Sequence, residues 1–139
     1  MTQVQKVLYT ARQHTSGGRD GGTSRSSDGR LDIRFSVPGS PAPGTNPEQL
    51  LAAGWSACFI GAMARSASKL KVALPAGTAV DAEVDLCLTG DSFSLQARLD
   101  VTLPGLEPSV ARAVADGAHQ VCPYSKALRG NIDIAINVV

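Results

Sequence analysis

The chain has 139 residues, enough for one domain with an ordinary hydrophobic core. Hydrophobic residues make up 43% of it and charged residues 18%, a composition typical of a globular protein. Thirteen basic and twelve acidic residues give a formal net charge of +1, which argues against nucleic acid or a membrane surface as a partner. The N-terminus has no basic stretch followed by an apolar run, so no signal peptide is predicted. Three cysteines, an odd number, argue against a secreted disulfide framework and favour a reducing, cytoplasmic location.

The first third of the chain is predicted to form strands joined by glycine-rich turns. Residues 4–12 favour an opening strand, and the pair Asp28-Gly29 is typical of a hairpin turn. Apolar and polar residues then alternate over residues 31–37, which predicts a second strand. The prolines that follow, within residues 38–47, exclude a helix or a central strand there.

A long apolar helix is predicted from Pro47 to about Lys71. Thr45 or Asn46 can cap its start, and Glu48 suits the positive end of the helix dipole. Its apolar run is shorter than the roughly 20 residues that a membrane span needs, which favours a helix of the core.

The second half of the chain is predicted to form two strands, a helix and a final strand. Residues 80–88 and 93–103 alternate between apolar and polar, so each strand has one core face. Residues 107–122 form the second helix, and residues 131–139 form the closing strand. Together these elements predict a single domain of the α+β class over residues 1–139, with antiparallel sheets packed on the two helices.

The cysteines occupy three different predicted environments. Cys87 lies on the polar face of a strand and is interpreted as incidental. Cys58 lies inside the apolar helix, where a thiol is inert unless a cation reaches it, so a core-packing role is the alternative to a reactive one. Arg19 is the candidate cation, because the glycines around it in GGRDGG let a loop turn an arginine inward. The alternative for Arg19 is a solvated turn.

Cys122 ends the second helix, directly before Pro123. The helix dipole favours cations at that end, which makes Cys122 a poor attacking thiol but leaves a resolving role open. A metal site built from Cys58, His119 and Cys122 would lack the close ligand spacing typical of such sites, so no metal is predicted.

Six blocks of the sequence carry a resemblance to a known family: KVLYTA (6–11), GGRDG (17–21), SSDGRLDI (26–33), GTNPEQLLAAGWSACFIGAM (44–63), LPGLE (103–107) and AHQVCPYSKALRGNIDI (118–134). In these blocks the chain resembles the organic hydroperoxide resistance proteins, which are thiol peroxidases of the superfamily of osmotically inducible protein C. Three departures stand out: Trp55 where tyrosine is common, Lys126 where asparagine is common, and the additional Cys87.

The resemblance implies a mechanism for the two cysteines in these blocks. Cys58 matches the peroxidatic cysteine and Cys122 the resolving one, while Arg19 and Glu48 match residues that assist the first. An organic hydroperoxide would oxidise Cys58 to a sulfenic acid, which Cys122 would convert to a disulfide. The resemblance further implies no bound cofactor, and a dithiol reductant of the lipoyl type, free or on a lipoylated protein.

The spacing of Glu48 and Cys58 bears on how the site is assembled. Ten positions along a straight helix correspond to about 15 Å of rise, so Arg19 of one chain cannot easily serve both residues. The sequence therefore predicts a composite site, with Glu48 supplied across a dimer interface, and the resemblance implies an intertwined homodimer.

Three alternatives remain open from the sequence. The first is the sister branch of the superfamily, with broader use of peroxides. The second is a ligand-binding or redox-sensing protein whose cysteines form a disulfide without turnover. The third is a structural domain with two equally unreactive buried thiols.

Overall fold

The structure is a computed structural model that describes residues 5–139. The chain divides into two compact units, the first ending at Pro47 and the second running from Glu48 to Val139. The single domain predicted for residues 1–139 stays a prediction.

The first unit contains a three-stranded antiparallel sheet. Its strands are β1 (Gln13–Ser16), β2 (Thr23–Ser26) and β3 (Asp32–Arg34), in the order β1-β2-β3. The prediction of an opening strand over residues 4–12 is wrong for residues 5–12, which form no regular element, and residue 4 lies outside the described part. Residues 5–12 pair with no strand of the described chain, and a strand needs such a partner for its backbone groups.

The turn between β2 and β3 confirms the hairpin signal at Asp28-Gly29. Gly29 has a φ of 74°, in the region that favours glycine. Asp28 Oδ1 accepts hydrogen bonds from Ser26 Oγ at 2.6 Å and from the backbone N–H of Arg30 at 3.0 Å. The strand that follows is shorter than predicted, because it ends at Arg34 and only an isolated bridge follows.

The second unit consists of helices packed on one sheet. Its elements are α1 (Pro47–Lys69), β4 (Ala79–Thr89), β5 (Ser92–Thr102), α2 (Pro108–Val121), α3 (Pro123–Leu128) and β6 (Asp133–Val138). The short helix α3 was not predicted, because Pro123 was interpreted only as the end of α2. Proline also suits the first position of a helix, where its missing N–H costs nothing, and this is the position that Pro123 occupies.

The sheet of the second unit has the order β4-β5-β6. Strands β4 and β5 are antiparallel, as predicted, but β6 pairs with β5 in parallel, with Leu99 opposite Ile136. The expectation of a purely antiparallel sheet is therefore wrong for its last strand. The reason lies in the connection, since α2 and α3 stand between β5 and β6 and form a crossover of the kind that parallel pairing requires. The α+β class itself is confirmed.

The core of this unit lies between α1, α2 and one face of the sheet. Its fully buried large side chains include Trp55, Phe59 and Met63 of α1, Val114 of α2, and Leu99 and Val101 of β5. By length and composition alone α1 could span a membrane, although the apolar run within it was predicted to be too short. Its Trp55, Phe59 and Met63 belong to the hydrophobic core of the unit.

The far end of the β4–β5 hairpin departs from the predicted core face. Val80, Ala82 and Val84 are half-buried against the core, as the alternation predicted. Leu88 and Phe93, which lie opposite each other across the hairpin, are 60% and 69% exposed, and Leu86 is exposed as well. We call Leu86, Leu88 and Phe93 the hairpin strip. The apolar face thus continues beyond the part of the sheet that is buried.

Candidate active site

The candidate site is built around Cys58, in the interior of α1. Two of its near neighbours on the helix, Trp55 and Phe59, are fully buried and fix that face of α1 in the core. The Cys58 side chain itself is half-buried and packs against the hydrophobic cluster. A thiol at the edge of an apolar core is shielded from water yet open on one side.

Cys122 occupies the corner between α2 and α3 and is fully buried. Its backbone is extended, with φ −61° and ψ 123°, and its N–H donates to the Ala118 carbonyl at 2.8 Å. Its own carbonyl accepts from the N–H of Lys126 at 2.9 Å. Because both helices hold the backbone of Cys122, the direction of its thiol is set by the corner itself.

The two thiols lie close together inside the second unit. Cys122 and the backbone N–H of Tyr124 are both near enough to Cys58 to shift its pKa. No disulfide joins them in this structure. The fold therefore brings the end of α2 to the interior of α1, as a disulfide between these residues would require.

The surroundings of Cys58 within this unit favour the neutral thiol. Burial raises the pKa of Cys58 above its ordinary value, and the Cys122 thiol raises it further, while the N–H of Tyr124 acts in the opposite direction. The thiolate is the reactive form of cysteine. A cation supplied to this site would therefore have a large effect on reactivity.

Two further contacts fasten the α2–α3 corner to α1. Trp55 Nε1 donates a buried hydrogen bond to Ser125 Oγ at 3.1 Å. The ring of Tyr124 lies against Gly54, where an added Cβ would come within 2.9 Å of the tyrosine Oη. Neither contact was predicted. The sequence signal was the recurrence of aromatic and small residues beside each cysteine, in GWSACF and CPYS.

The predicted assisting residues come from other segments of the chain. Glu48 is half-buried in the first turn of α1, ten positions before Cys58 along an unbroken helix, so the expected separation of about 15 Å holds. Arg19 lies in the first unit, in the exposed turn between β1 and β2. Gly17, Gly18 and Gly21 around it all have positive φ, of 80°, 74° and 96°. The roles of Arg19 and Glu48 stay predictions.

Cys87 and His119 lie outside this cysteine pair. Cys87 is half-buried on β4, near Asp85, whose carboxylate accepts two hydrogen bonds from Arg98 at 2.9 and 3.0 Å. These bonds lower the pKa of Asp85 to about 2. His119 is half-buried on α2, and burial lowers its pKa. Among residues 5–139, no group of three or more histidine, cysteine or acidic side chains could hold a metal ion.

Comparison with known proteins agrees with this fold. The profile of the OsmC-like protein family matches residues 38–137. An organic hydroperoxide resistance protein of Xanthomonas axonopodis pv. citri is 43% identical over 142 aligned residues, covering 99% of each chain. The crystal structure of the organic hydroperoxide resistance protein OhrB of Bacillus subtilis superposes with a TM-score of 0.89 at 35% identity, covering 96% of this chain and 100% of that one.

A second solved structure gives the same result. It is that of an organic hydroperoxide resistance protein of Legionella pneumophila, with a TM-score of 0.88 at 39% identity, covering 96% of this chain and 98% of that one. The fold is thus that of the OsmC-like proteins, α+β domains with a long central helix. The chain belongs to this family, and within it to the organic hydroperoxide resistance proteins.

Proposed function

We propose that the protein is a thiol-dependent peroxidase that reduces alkyl or lipid hydroperoxides to alcohols and so protects the cell against oxidative stress. The observation that carries the proposal is the proximity of Cys58 and Cys122 at the edge of the apolar core. The names of its full-length relatives, which refer to resistance against organic hydroperoxides, support the choice of substrate class.

The catalytic cycle needs three balanced steps. The Cys58 thiolate attacks the terminal oxygen of the hydroperoxide; the O–O bond breaks, one proton is taken up, and an alcohol leaves while Cys58 becomes a sulfenic acid. The Cys122 thiol then attacks the sulfenic sulfur, which forms the Cys58–Cys122 disulfide and releases water. An external dithiol reduces that disulfide and is itself oxidised to a cyclic disulfide.

Formation of the thiolate is assigned to Arg19 and Glu48. Burial and the Cys122 thiol raise the pKa of Cys58, so a stable thiolate needs a positive charge nearby. Arg19 supplies it, and also donates hydrogen bonds to the peroxide oxygens as negative charge develops on them. Glu48 orients the guanidinium by accepting its paired N–H groups.

The active form is proposed to be a homodimer. The outward face of α1 carries small residues that are exposed in the single chain, Ala53, Ala57, Gly61 and Ala64. The hairpin strip adds large apolar side chains to the uncovered surface. Surfaces of this kind are typical of contacts between subunits. A second copy would also supply the Glu48 that the helix geometry keeps away from Cys58 of the same chain.

The surroundings of Cys58 support the proposed substrate class, and the family resemblance suggests the reductant. A thiol next to apolar residues favours alkyl and lipid hydroperoxides over hydrogen peroxide, because an alkyl group gains by leaving water while a hydroxyl group does not. The reductant is a dithiol of the lipoyl type, free or on a lipoylated protein, and no bound cofactor takes part. The proposed location is the cytoplasm, where such dithiols remain reduced.

One experiment tests the cycle directly. Reduced protein is treated with one equivalent of cumene hydroperoxide, and its disulfides are mapped by mass spectrometry. The expected product is a rapid Cys58–Cys122 disulfide with Cys87 still reduced, and a matched Cys87→Ser variant should react in the same way. An unmodified Cys58 would contradict the proposal. Disulfide formation without turnover when dihydrolipoamide is added would instead favour a redox sensor.

A further inference from the structure

One buried hydrogen bond joins α1, which carries Cys58, to α3, which follows Cys122. None of the chemistry proposed above uses this bond. Trp55 Nε1 donates to Ser125 Oγ at 3.1 Å, and both residues are 0% exposed. Trp55 lies one helical turn before Cys58 on α1, and Ser125 lies just after Cys122 in α3. We propose that Trp55 and Ser125 are positioning residues, whose hydrogen bond holds the α2–α3 corner so that Cys122 faces Cys58.

Within the corner, Arg129 Nη1 holds α3 to the end of α2 by donating to the carbonyls of His119 and Gln120 at 2.9 and 3.1 Å, but these bonds do not reach α1. Helix α3 has only six residues, and a helix that short is unstable without contacts to the rest of the protein. Its start has no side-chain cap, and Pro123 offers no N–H. The position of Cys122 relative to α1 therefore depends on side-chain contacts across the gap between the helices.

The hydrogen bond between Trp55 and Ser125 favours one position of the α2–α3 corner over displaced ones. The indole N–H is a donor only, and a buried donor without an acceptor carries the full desolvation penalty. Ser125 supplies the acceptor, and any movement of the corner away from α1 would leave the Trp55 N–H unpaired in the core. The hydrogen bond thus penalises the displaced positions of Cys122 in particular.

The expected consequence is a preorganised pair of thiols. A corner that is already in place loses little conformational freedom when the disulfide forms, so the equilibrium favours the disulfide more than in a loose corner. The inference rests on the proposed function in one respect, since the Cys58–Cys122 disulfide is a step of that cycle. It can be tested without any peroxide.

The experiment measures the effective concentration of the two thiols. Protein is equilibrated with mixtures of reduced and oxidised dithiothreitol in a Cys87→Ser background, and the Cys58–Cys122 disulfide is quantified by mass spectrometry. We expect Ser125→Ala and Trp55→Phe each to lower the effective concentration by about tenfold, the amount that one buried hydrogen bond accounts for. The double variant should be no worse than either single one, and Ser125→Thr should restore part of the loss.

Ser56 provides the matched control. Its hydroxyl bonds the Ala52 carbonyl of its own helix and does not reach the corner, so Ser56→Ala should leave the effective concentration unchanged. General loss of stability does not alter this equilibrium among folded molecules. The positioning role would be overturned if both Ser125→Ala and Trp55→Phe kept the wild-type effective concentration. It would also be overturned if Ser56→Ala lowered the effective concentration as much as they do.

A measurement on the wild-type protein covers the remaining outcomes. The chain has one tryptophan, so its indole N–H gives a single assignable NMR signal. If the variants do not fold, the exchange of that signal with solvent decides the positioning role. Slow exchange supports the hydrogen bond on which the role rests, and fast exchange in the folded, reduced protein overturns it. If the wild type forms no disulfide with oxidised dithiothreitol, the proposed cycle is wrong. The indole exchange and the rate of Cys122 alkylation in Ser125→Ala then still decide whether the hydrogen bond positions Cys122.

Discussion

Gly54 of α1 and Tyr124 of α3 are in contact, at a distance where a side chain on the helix would have to displace the tyrosine ring. A Cβ at position 54 would lie 2.9 Å from the tyrosine Oη and 3.3 Å from Cζ. The backbone N–H of the same tyrosine lies near Cys58 and acts to lower the pKa of its thiol. The absence of a side chain at position 54 therefore lets the Tyr124 ring lie against α1 beside the thiol.

Gly54→Ala should slow disulfide formation after oxidation of Cys58. The methyl group displaces the Tyr124 ring, and the expected slowing follows if that ring helps to seat the corner that carries Cys122. Alanine is favoured over glycine in a helix by about 1 kcal/mol, so the variant need not lose overall stability. The measurement is the rate of disulfide formation by quenched-flow mass spectrometry. The control is Gly54→Ala made in a Tyr124→Ala background, where no ring remains to be displaced; a further slowing there would show that this contact is not the cause.

Arg19→Ala should slow the reduction of cumene hydroperoxide on the order of a hundredfold or more. Without the cation, burial keeps the pKa of Cys58 above its ordinary value, so the reactive thiolate forms only at more alkaline pH. Thiolate absorbance at 240 nm against pH, in a background lacking Cys87 and Cys122, measures the pKa directly. Arg19→Lys keeps the charge without the paired N–H groups, so the pKa of Cys58 in this variant should lie between those in the wild type and in Arg19→Ala. An unchanged thiolate titration in Arg19→Ala would remove Arg19 from the mechanism.

Cys122→Ser should complete one reduction and then stop. Cys58 would accumulate as a sulfenic acid, which dimedone traps, and excess hydroperoxide would convert it to the sulfinic acid. Intact-mass spectrometry distinguishes these species from the disulfide of the wild type. Cys87→Ser serves as the control and should cycle normally. Continued turnover by Cys122→Ser at the wild-type rate would assign the resolving step to another thiol.

Protonation of His119 should weaken the fold in mild acid. Burial lowers the pKa of His119, and the nearby Arg129 and Arg112 guanidinium groups lower it further against the opposing effect of Asp116. Because the folded-state pKa lies below the ordinary value, the stabilisation is present above that value and is lost as the pH falls towards the lowered one. Urea unfolding at pH 7.5 and 5.5 measures the change, which His119→Asn should reduce. If the free energy of unfolding falls equally in the wild type and in His119→Asn, the loss in acid does not come from protonation of His119.

Phe93→Asp combined with Leu88→Asp should convert a dimer into a monomer. Both side chains belong to the hairpin strip and are mostly exposed in the single chain, so the carboxylates cost little there but would be buried without partners in an interface. Sedimentation equilibrium over a range of concentrations gives the association state. Thr89→Asp, on the same hairpin but outside the strip, is the control. If the wild type is itself a monomer, the proposed subunit contact is wrong.

The fold was largely predictable because its elements follow local patterns. Pro47 at the start of α1, the Asp28-Gly29 turn and the alternation in β4 and β5 each act within a few residues. The errors share a different origin. Among the described residues, 5–12 lack a strand partner and the hairpin strip lacks a covering surface, and neither outcome could be predicted from local sequence patterns.

The candidate site was predictable only where sequence blocks resemble known proteins. Nothing in the spacing of Cys58 and Cys122 along the sequence indicates that their thiols lie close together. Their proximity depends on how α2 returns to α1 across the sheet. The hydrogen bond from Trp55 to Ser125 joins positions seventy residues apart and has no local signature.

The hydrogen-bonded indole beside the cysteine pair also makes the protein its own optical probe. Trp55 is the only tryptophan in the sequence, and it lies one turn from Cys58 and in contact with the helix that follows Cys122. Its emission reports on one place in the molecule, the place where thiol, sulfenic acid and disulfide succeed one another. Stopped-flow fluorescence can therefore time each step of the cycle in unlabelled protein, with the steps resolved by the order in which the intensity changes.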